Sequence, residues 1–579
     1  MCTVSKILKK LQLSLIMVGL AWLVLAAPMR PAHAAHAMVA SVHELASQAG
    51  VETLKAGGNG VDAAVAVGFA LAVVHPQAGN LGGGGFMLIR QVDGTLHFID
   101  YREKAPAKAS EKMYLDASGK VIQDLSRVGY KSIAVPGSVA GMVYAQRKYG
   151  KLKLEEVIAP AIKLARNGFP LAYEDAESLK DPYLGQFTES KRIFQRDGKY
   201  YQPGEILRQP ELATTLTRIA RNPEDFYRGA MARELAATIQ KGNGLVTAED
   251  LAGYEVKERK VIHGTYRGYD VYSAPPPSSG GVALIESLNI LEGYDLGKLG
   301  NRSAASMHLT VEAFRRAYFD RAEFMGDPDF ANIPVAQLID KRYGEAWREG
   351  LDPHHASLSG SLQRPAIFNQ LERYAALHPQ PAVGLEPEHT THYSVVDAEG
   401  NAVAVTTTLN DSLGSRVTAE GLGFLLNDEM DDFAAAPGTP NLYGLVQGPA
   451  NAVGSSKRPL SSMTPTIVTR DGKLFLVLGS PGGGTIMTTV ANVLMGVIDY
   501  GMNIQEAVNA PHFHHQWLPD ETRLEKGFSP DTVHLLEKMG HKIEVRNYWG
   551  DAECIALDPR SGERLGASDA RNNGKAVGY

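Results

Sequence analysis

Two adjacent threonines, Thr390 and Thr391, stand at the start of a predicted strand and follow an aperiodic, proline-containing stretch. A threonine hydroxyl becomes a useful nucleophile when the residue is a chain N-terminus, because its own α-amine can then act as the base. Cleavage of the bond between His389 and Thr390 would create that amine. The pair is equally compatible with an ordinary strand start, so the dipeptide alone does not decide between the two roles.

A glycine-rich run at residues 479–484 directly follows another predicted strand. The backbone N–H groups of such a run can bind an anion, either as an oxyanion hole or as a phosphate site. The run is not a Walker motif, since no Gly-Lys-Ser/Thr follows it. A tight turn from strand to helix remains the alternative interpretation.

Arg102, at the end of a predicted strand, carries a planar guanidinium that suits a carboxylate, although a lone arginine is commonly part of a surface ion pair. Residues 457–462 end in two serines, and acidic and amide side chains precede them in the chain. These groups could together recognise an amino-acid head group, with acids binding the ammonium and hydroxyls binding the carboxylate. They are Asn410, Glu429, Asp431, Asp432, Ser461 and Ser462.

Histidines at positions 512, 514 and 515 raise the question of a metal site. No H-E-x-x-H motif or acidic cluster with ligand spacing accompanies them, so a packed polar turn is favoured. The glycines of residues 79–85 lead into a strand and lack the context of a dinucleotide fingerprint. The sequence therefore predicts neither a metal nor an organic cofactor.

Periodicity predicts the elements that must position these residues. Strands are expected at residues 86–90, 96–101, 392–396, 402–408, 464–469 and 473–478. Helices are expected at residues 41–55, 61–74, 154–167, 210–220, 230–240 and 304–324. The helix at 61–74 is apolar on nearly all sides, which predicts complete burial. The helix at 304–324 is expected to carry Arg315, Arg316, Asp320 and Arg321 on a polar face. Strands with apolar residues on both faces indicate stacked sheets covered by helices, an α/β sandwich.

The N-terminus has the order of a secretory signal peptide: lysines, an apolar run at residues 11–27, and a small-residue stretch. Cleavage after Ala34 or after Ala37 fits, which makes residues 1–37 the signal. A membrane anchor is the alternative, but the run is short and a cleavage site follows it directly. We therefore expect a periplasmic or secreted protein with no membrane anchor after cleavage.

The composition argues against an intrinsically disordered protein, a nucleic-acid-binding protein and a protein stabilised by disulfides. The chain has 579 residues, of which 44% are hydrophobic, so it can build a core and is not intrinsically disordered. Its 58 basic and 64 acidic residues give a net charge of −6, which argues against a nucleic-acid partner. Only Cys554 remains beyond the signal, so no internal disulfide is expected.

Taken together, these motifs resemble those of the γ-glutamyltranspeptidases (glutathione hydrolases), in particular the bacterial periplasmic members. The resemblance spans residues 38–579. The matching blocks are GGNGVDAAVAVGFALAVVHPQAGNLGGGGF (57–86), DYREKAP (100–106), PPPSSGG (275–281), TTHYSVVD (390–397), LLNDEMDDF (425–433), KRPLSSMTPTIV (457–468), GSPGG (479–483), NAPHFHHQWLPD (509–520) and GASD (566–569).

The resemblance implies a fold and a division of the chain. The family belongs to the N-terminal nucleophile hydrolases, which have a four-layer αββα sandwich. Residues 38–389 would form a large subunit and residues 390–579 a small subunit that begins with the nucleophile, the two making a heterodimer from one precursor.

The resemblance also implies residue roles. Thr390 matches the nucleophile, and Thr408 matches the threonine that contacts the new α-amine and supports autoprocessing. Gly482 and Gly483 match the oxyanion hole, and Tyr443 matches the tyrosine of a lid loop at residues 437–451. The groups that match the substrate α-carboxylate site are Arg102, Ser461 and Ser462, and those around the α-amine are Asn410, Glu429 and Asp432. Glu429 stands where some bacterial relatives carry glutamine.

The implied activity is hydrolysis of γ-glutamyl amides such as glutathione, and transfer of the γ-glutamyl group to amino acids or peptides. It would proceed through a γ-glutamyl ester on Thr390, after autocatalytic cleavage and without a cofactor. Two alternatives remain: a related acylase acting on glutaryl-cephalosporin or poly-γ-glutamate, and an uncleaved, inactive exported binding homologue.

Overall fold

The computed structural model describes residues 29–79, 81–367 and 390–579. The strands in these ranges are β1 (Ala32–Ala34), β2 (Met38–Ser41), β3 (Gly84–Arg90), β4 (Leu96–Asp100), β5 (Phe169–Pro170), β6 (Ile206–Leu207), β7 (Lys257–Arg259), β8 (Ile262–Tyr266), β9 (Tyr269–Ser273), β10 (Thr391–Val396), β11 (Ala402–Thr408), β12 (Thr466–Arg470), β13 (Lys473–Leu478), β14 (Phe513–His514), β15 (Thr522–Glu525), β16 (Ile543–Arg546), β17 (Glu553–Leu557), β18 (Arg564–Ser568) and β19 (Lys575–Gly578).

The α-helices in the same ranges are α1 (Glu44–Lys55), α2 (Gly60–Val74), α3 (Ser138–Tyr149), α4 (Leu154–Asn167), α5 (Tyr173–Ser178), α6 (Thr188–Gln195), α7 (Pro210–Arg221), α8 (Asp225–Arg228), α9 (Ala230–Lys241), α10 (Ala248–Ala252), α11 (Gly280–Leu291), α12 (Leu296–Leu299), α13 (Ala304–Phe324), α14 (Val335–Leu338), α15 (Lys341–Glu349), α16 (Ile486–Ile498), α17 (Ile504–Asn509) and α18 (Pro530–Lys538). Short 3₁₀ turns include Glu429–Asp432 and Gly483–Thr485.

Two seven-stranded antiparallel sheets dominate the fold. The first has the order β19-β2-β10-β11-β3-β4-β7, and the second has the order β1-β18-β17-β13-β12-β9-β8. Each sheet combines strands from both sides of residue 390. The central pair β10 and β11 is in register with Thr391 opposite Thr407, so the ends of these strands lie together.

Side chains along each strand point alternately to the two faces of its sheet, and each face packs against a different layer. In β11, Val403 and Val405 pack with α1 and α2 on the outer face, while Ala402 and Ala404 point into the core between the sheets. In β13, Val477 reaches the same inter-sheet core, whereas its neighbours on either side pack against α11, α13 and α16. The order is therefore helices, sheet, sheet, helices, which confirms the predicted αββα sandwich.

Helix α2 supports the central strands from outside. All of its residues, Gly60–Val74, are buried, which confirms the prediction of a fully enclosed helix at residues 61–74. It begins with a capping box in which the Asn59 side chain accepts the backbone N–H of Asp62, and Asp62 accepts that of Asn59. This cap fixes where the helix starts, and the helix leads directly to the loop beside Thr391.

Helix α13 has a buried polar face. The helix spans Ala304–Phe324 as predicted, and the charged residues of that face, Arg315, Arg316, Asp320 and Arg321, are all buried. Arg315 and Arg316 pair with Glu312 inside the protein. In the sequence, a helix face whose charges are buried in ion pairs looks the same as one that is exposed to solvent.

The structure describes only the last part of the predicted signal peptide, from residue 29 onward. The apolar run at residues 11–27 lies outside the described residues, and signal cleavage stays a prediction. Ala32–Ala34 forms strand β1 against β18, and the backbone N–H groups of His36 and Ala37 donate to the Tyr579 carbonyl. Cleavage after Ala34 or Ala37 would remove β1 from the mature protein. Across residues 29–79, 81–367 and 390–579, no helix is long and apolar enough to cross a membrane.

Candidate active site

Thr390 lies immediately before β10, at the centre of the first sheet. Its side-chain oxygen is 3.1 Å from that of Thr408, the last residue of β11. The Thr408 hydroxyl also accepts the backbone N–H of Asn410 at 2.9 Å. Both threonines are buried, so the two hydroxyls meet inside the protein.

The close approach to β11 explains the glycines at positions 83 and 85. A Cβ atom on Gly83 would stand 1.9 Å from the carbonyl oxygen of Thr408, which no side chain could accommodate. The glycine run therefore lets a backbone segment pass directly behind the site. It serves packing, in agreement with the absence of a dinucleotide motif in the sequence.

Arg102 follows β4 after a turn in which its backbone N–H donates to the Asp100 carboxylate at 2.9 Å. Its side chain is 1% exposed and donates to Glu429 through Nη1 and to Asp432 through Nη2. It also donates to the carbonyl oxygens of Pro459 at 3.2 Å and Leu460 at 3.1 Å. All three guanidinium nitrogens of Arg102 thus donate hydrogen bonds inside the protein, unlike those of an arginine in a surface ion pair.

The electrostatics around Arg102 involve a third carboxylate that the sequence did not single out. Glu103 lies with an oxygen 3.6 Å from Arg102 Nη1, and it is fully buried. Burial opposes the charged form of Arg102, but Glu429, Asp432 and Glu103 raise its pKa above the ordinary value. Burial in turn raises the pKa of Glu103 to about 7 and raises the pKa of Glu429. One cation is therefore shared among three acids, two of which are hard to ionise.

The two serines are positioned by a neighbouring loop and by helix α13. The backbone N–H of Ser461 donates to Pro277 at 2.8 Å, and its hydroxyl accepts from the N–H of Met463 at 3.0 Å. Arg321 of α13 donates to the Ser462 hydroxyl at 3.1 Å. Arg321 was predicted on the polar face of its helix, but its contact with Ser462 was not predicted.

The glycine turn after β13 requires glycine at Gly483. Its φ is +49°, and a Cβ atom there would lie 2.5 Å from the Tyr443 ring. Gly482 has a φ of +134°, and its carbonyl accepts the N–H of Thr485 at 2.8 Å. The turn has no side chains at Gly482 and Gly483, so its backbone can lie beside Thr390, and the Tyr443 ring packs against it.

Residues 437–451 form an irregular loop that covers the site. Tyr443 is buried, and its hydroxyl donates to the Asn410 carbonyl at 2.7 Å. The loop is held further by the N–H of Leu442 on Asp431 at 3.0 Å and by Asn441 on Asp432 at 3.1 Å. Asp431, suggested from the sequence as a head-group ligand, therefore anchors the loop.

One small cavity, which we call the donor cavity, brings most of the predicted residues together. It has a volume of about 20 Å³, room for roughly one water molecule. Of the predicted residues, Gly482 is adjacent in the chain but does not line it, and His389 lies outside the described residues. Those that line it are Arg102, Thr390, Thr408, Asn410, Glu429, Asp432, Tyr443, Ser461, Ser462 and Gly483.

The histidines at 512, 514 and 515 are packed inside the protein. Burial lowers the pKa of each of them, which favours the neutral form. His514 is bonded to Thr488 at 2.9 Å and to Gln516 at 2.8 Å. Within the part of the chain that the structure describes, no group of three or more candidate ligands could hold a metal ion.

The chemistry open to this arrangement is acyl transfer to a threonine hydroxyl. Thr390 and Thr408 bring two hydroxyls together, and backbone N–H groups in a glycine turn are of a kind that can stabilise an oxyanion. A guanidinium such as that of Arg102 can bind a carboxylate, and acids such as those around it can bind an ammonium. An amino-acid head group would satisfy both at once.

Comparison with known proteins agrees with this chemistry. A family model for gamma-glutamyltranspeptidase matches residues 46–579. The glutathione hydrolase proenzyme of Escherichia coli (strain K12) is 50% identical over 546 residues, 94% of this chain and 91% of that protein. That of Pseudomonas sp. (strain A14) is 47% identical over 569 residues, 96% of each chain. The crystal structure of cephalosporin acylase from Bacillus halodurans superposes with a TM-score of 0.81 at 27% identity, over 95% of this chain and 97% of that one. The chain belongs to the γ-glutamyltranspeptidase family.

Proposed function

We propose that the protein hydrolyses γ-glutamyl amides such as glutathione and transfers the γ-glutamyl group to amino acids or peptides. The observation that carries the proposal is the buried Thr390–Thr408 hydroxyl pair, 3.1 Å apart, in a cavity that also contains Arg102. A nucleophile and a carboxylate-binding group then act on one small substrate.

The donor is bound by its amino-acid end. Arg102 binds the α-carboxylate together with Ser461 and Ser462, and the α-ammonium binds among Asn410, Glu429 and Asp432. Arg102 already holds two carboxylates, so the substrate carboxylate joins or replaces contacts of the same kind. The guanidinium geometry is thereby prepared for the substrate.

The reaction proceeds through an ester. The Thr390 hydroxyl attacks the γ-carbonyl carbon while the Thr390 α-amine takes its proton, and the N–H groups of Gly482 and Gly483 stabilise the oxyanion. The leaving amine takes the proton and departs. Water then gives glutamate, whereas an amine gives a new γ-glutamyl amide.

The α-amine arises by autocatalytic cleavage between His389 and Thr390, assisted by Thr408. The products are a large subunit, residues 38–389, and a small subunit, residues 390–579, which stay together because each sheet contains strands of both. The signal at residues 1–37 directs the chain to the periplasm or out of the cell.

The test is turnover of three donors by purified protein: glutathione, glutaryl-7-aminocephalosporanic acid and poly-γ-glutamate. Faster release of glutamate from glutathione, with γ-glutamyl products when amino acids are added, is the expected result. Preference for either bulky donor would assign the chain to the acylases instead. A single uncleaved chain that binds but does not turn over any donor would indicate a binding homologue.

A further inference from the structure

The donor cavity has a second buried cation behind its wall, Arg321 of helix α13. The Arg321 side chain donates through Nη2 to the Ser462 hydroxyl at 3.1 Å and through Nε to the Ser279 hydroxyl at 2.9 Å. Ser462 lines the donor cavity, whereas Arg321 does not. Arg321 therefore reaches the cavity through a serine that forms part of its wall.

The charge of Arg321 forms no salt bridge with an acid in the part of the chain that the structure describes, where its side-chain hydrogen bonds go to the two serine hydroxyls. By contrast, Arg315 and Arg316 of the same helix each form a salt bridge with Glu312. Burial lowers the pKa of Arg321, which is the direction expected of a cation that its surroundings do not balance. Because a buried charge without an ionic partner is costly, an anion bound in the neighbouring cavity would be stabilised.

The direction of each hydrogen bond around Ser462 follows from the chemistry of the groups. A guanidinium can only donate, so the Ser462 hydroxyl accepts from Arg321 and keeps its own proton to donate. Among the described residues, none accepts that proton. Ser279 in turn donates to the Ser461 carbonyl through its hydroxyl and through its backbone N–H, each at 2.8 Å. Arg321 thus holds the hydroxyl of one serine and, through Ser279, the backbone of the other.

Arg102 alone offers little net attraction for an added carboxylate. Its guanidinium is bonded to Glu429 and Asp432, and Glu103 lies 3.6 Å from its Nη1. One ionised acid makes this group neutral, and a second makes it negative. A further cation is therefore needed to attract an anion to this end of the cavity, and Arg321 supplies it.

We propose that Arg321 is a positioning residue for the α-carboxylate of the γ-glutamyl donor. It leaves the Ser462 hydroxyl proton to bind the carboxylate, and its positive charge compensates the negative charge that the carboxylate brings. Arg102 still contacts the carboxylate, whereas Arg321 acts through Ser462. This inference rests on the proposed function and adds a residue that sets the affinity for one end of the substrate.

Three p-nitroanilides separate the two charges of the donor. The γ-glutamyl compound carries both the α-carboxylate and the α-ammonium, the glutaryl compound keeps only the carboxylate, and the 4-aminobutyryl compound keeps only the ammonium. Arg321→Met should lower kcat/KM for the two carboxylate donors by about 10- to 100-fold, as expected for a lost bond to a charged group. The value for the 4-aminobutyryl donor should not fall. The loss should lie mainly in KM, because the Thr390 hydroxyl is untouched.

A double-mutant cycle tests whether Arg321 acts through Ser462. The Ser462→Ala protein lacks the hydroxyl that Arg321 holds, so adding Arg321→Met should lower kcat/KM for γ-glutamyl-p-nitroanilide by a smaller factor than it does in the wild type. Arg321→Lys keeps the charge, but one ammonium cannot replace a fork that bonds to two serines. It should therefore lose about two- to tenfold with the carboxylate donors.

Arg316→Met is the matched control. Arg316 is a buried arginine of the same helix, but it pairs with Glu312 and does not line the donor cavity. This variant should keep the wild-type ratio of kcat/KM between the carboxylate donors and the 4-aminobutyryl donor, even if it is less stable.

Two outcomes would overturn the proposal. Equal losses with all three donors in Arg321→Met would show a structural role, and fully multiplicative losses in the cycle would show that Ser462 is not the intermediary. If Arg321→Met does not fold, Arg321→Lys decides, and a wild-type ratio in that variant would overturn the proposal. A wild-type protein that releases no p-nitroaniline from the γ-glutamyl donor would instead refute the proposed function, so the two failures are distinguishable.

Discussion

The two cavities that meet at Thr390 differ in how much space they enclose. In the donor cavity Arg102 is fully engaged by Glu429, Asp432 and two backbone carbonyls, and almost no empty volume remains. The second cavity at Thr390, whose lining includes Gln77 and Arg523, has a volume of about 470 Å³, which is more than twenty times larger. A closed, internally paired site suits one defined head group, whereas a large open one is less selective. The following predictions are arranged from the largest expected effect to the smallest.

Removing the group common to both cavities should have the largest effect. Thr390→Ala should abolish both chain cleavage and turnover, because no hydroxyl remains to attack either the peptide bond or the substrate. Gel analysis and p-nitroaniline release measure the two losses. Thr391→Val is the control: Thr391 is buried and its hydroxyl has no described partner, so an isosteric valine should still be cleaved and active. An active Thr390→Ala protein would exclude Thr390 as the nucleophile.

Removing the donor cavity's cation should have the next largest effect. Truncating one partner of a buried charge pair costs about 2–5 kcal/mol, so Arg102→Ala should lose roughly 30- to 3,000-fold in kcat/KM for γ-glutamyl-p-nitroanilide. Arg102→Lys should recover only part, because an ammonium cannot reproduce the planar fork. Cleavage should survive in both, since no substrate carboxylate takes part in it. Wild-type kcat/KM in Arg102→Ala would remove this residue from substrate binding.

Loosening the loop of residues 437–451 should make the donor cavity more open and less selective. Tyr443→Phe deletes the hydroxyl bond to the Asn410 carbonyl, worth about 0.5–1.5 kcal/mol, so turnover of glutaryl-7-aminocephalosporanic acid relative to glutathione should rise about 2- to 10-fold. Deleting residues 437–451 should raise this ratio further while small donors still acylate Thr390. A ratio that stays constant in both proteins would show that the loop is not a gate.

The smallest effect concerns stability and pH. Burial raises the pKa of Glu103 to about 7 from an ordinary 4.5, so the stability it contributes is present below pH 4.5 and is lost as the pH rises through about 7. Glu103→Gln cannot ionise, and its Tm should therefore fall less between pH 5 and pH 8 than that of the parent. Thermal unfolding of both proteins in a Thr390→Ala background, which keeps one chain, measures this. Parallel pH profiles would contradict the assigned protonation.

The sequence predicted the donor cavity far better than the larger cavity beside it. Arg102, Ser461 and Thr408 lie in contiguous motifs or at strand ends, and local patterns carry that information. The larger cavity is lined by residues such as Gln77 and Arg523, which are hundreds of residues apart, so only the folded chain shows that they meet. Predicted strands and helices agree with the structure to within a few residues, including β11, β13, α4 and α13.

The failures have a physical cause. The polar face of α13 was predicted, but its burial was not: Arg315 and Arg316 pair with Glu312 inside the protein, and Arg321 donates to Ser462. Glu103 was overlooked because its importance comes from burial beside Arg102, and burial depends on the sheets around it. Signal cleavage, cleavage at residue 390 and the roles of the individual site residues remain predictions.

The most direct test of the account is N-terminal sequencing of the purified protein. If Thr390 is freed as the nucleophile, the preparation contains two chains, and the smaller one begins with Thr390-Thr391-His392-Tyr393. An active protein that runs as a single chain, or a small chain that begins at another residue, would contradict the central claim.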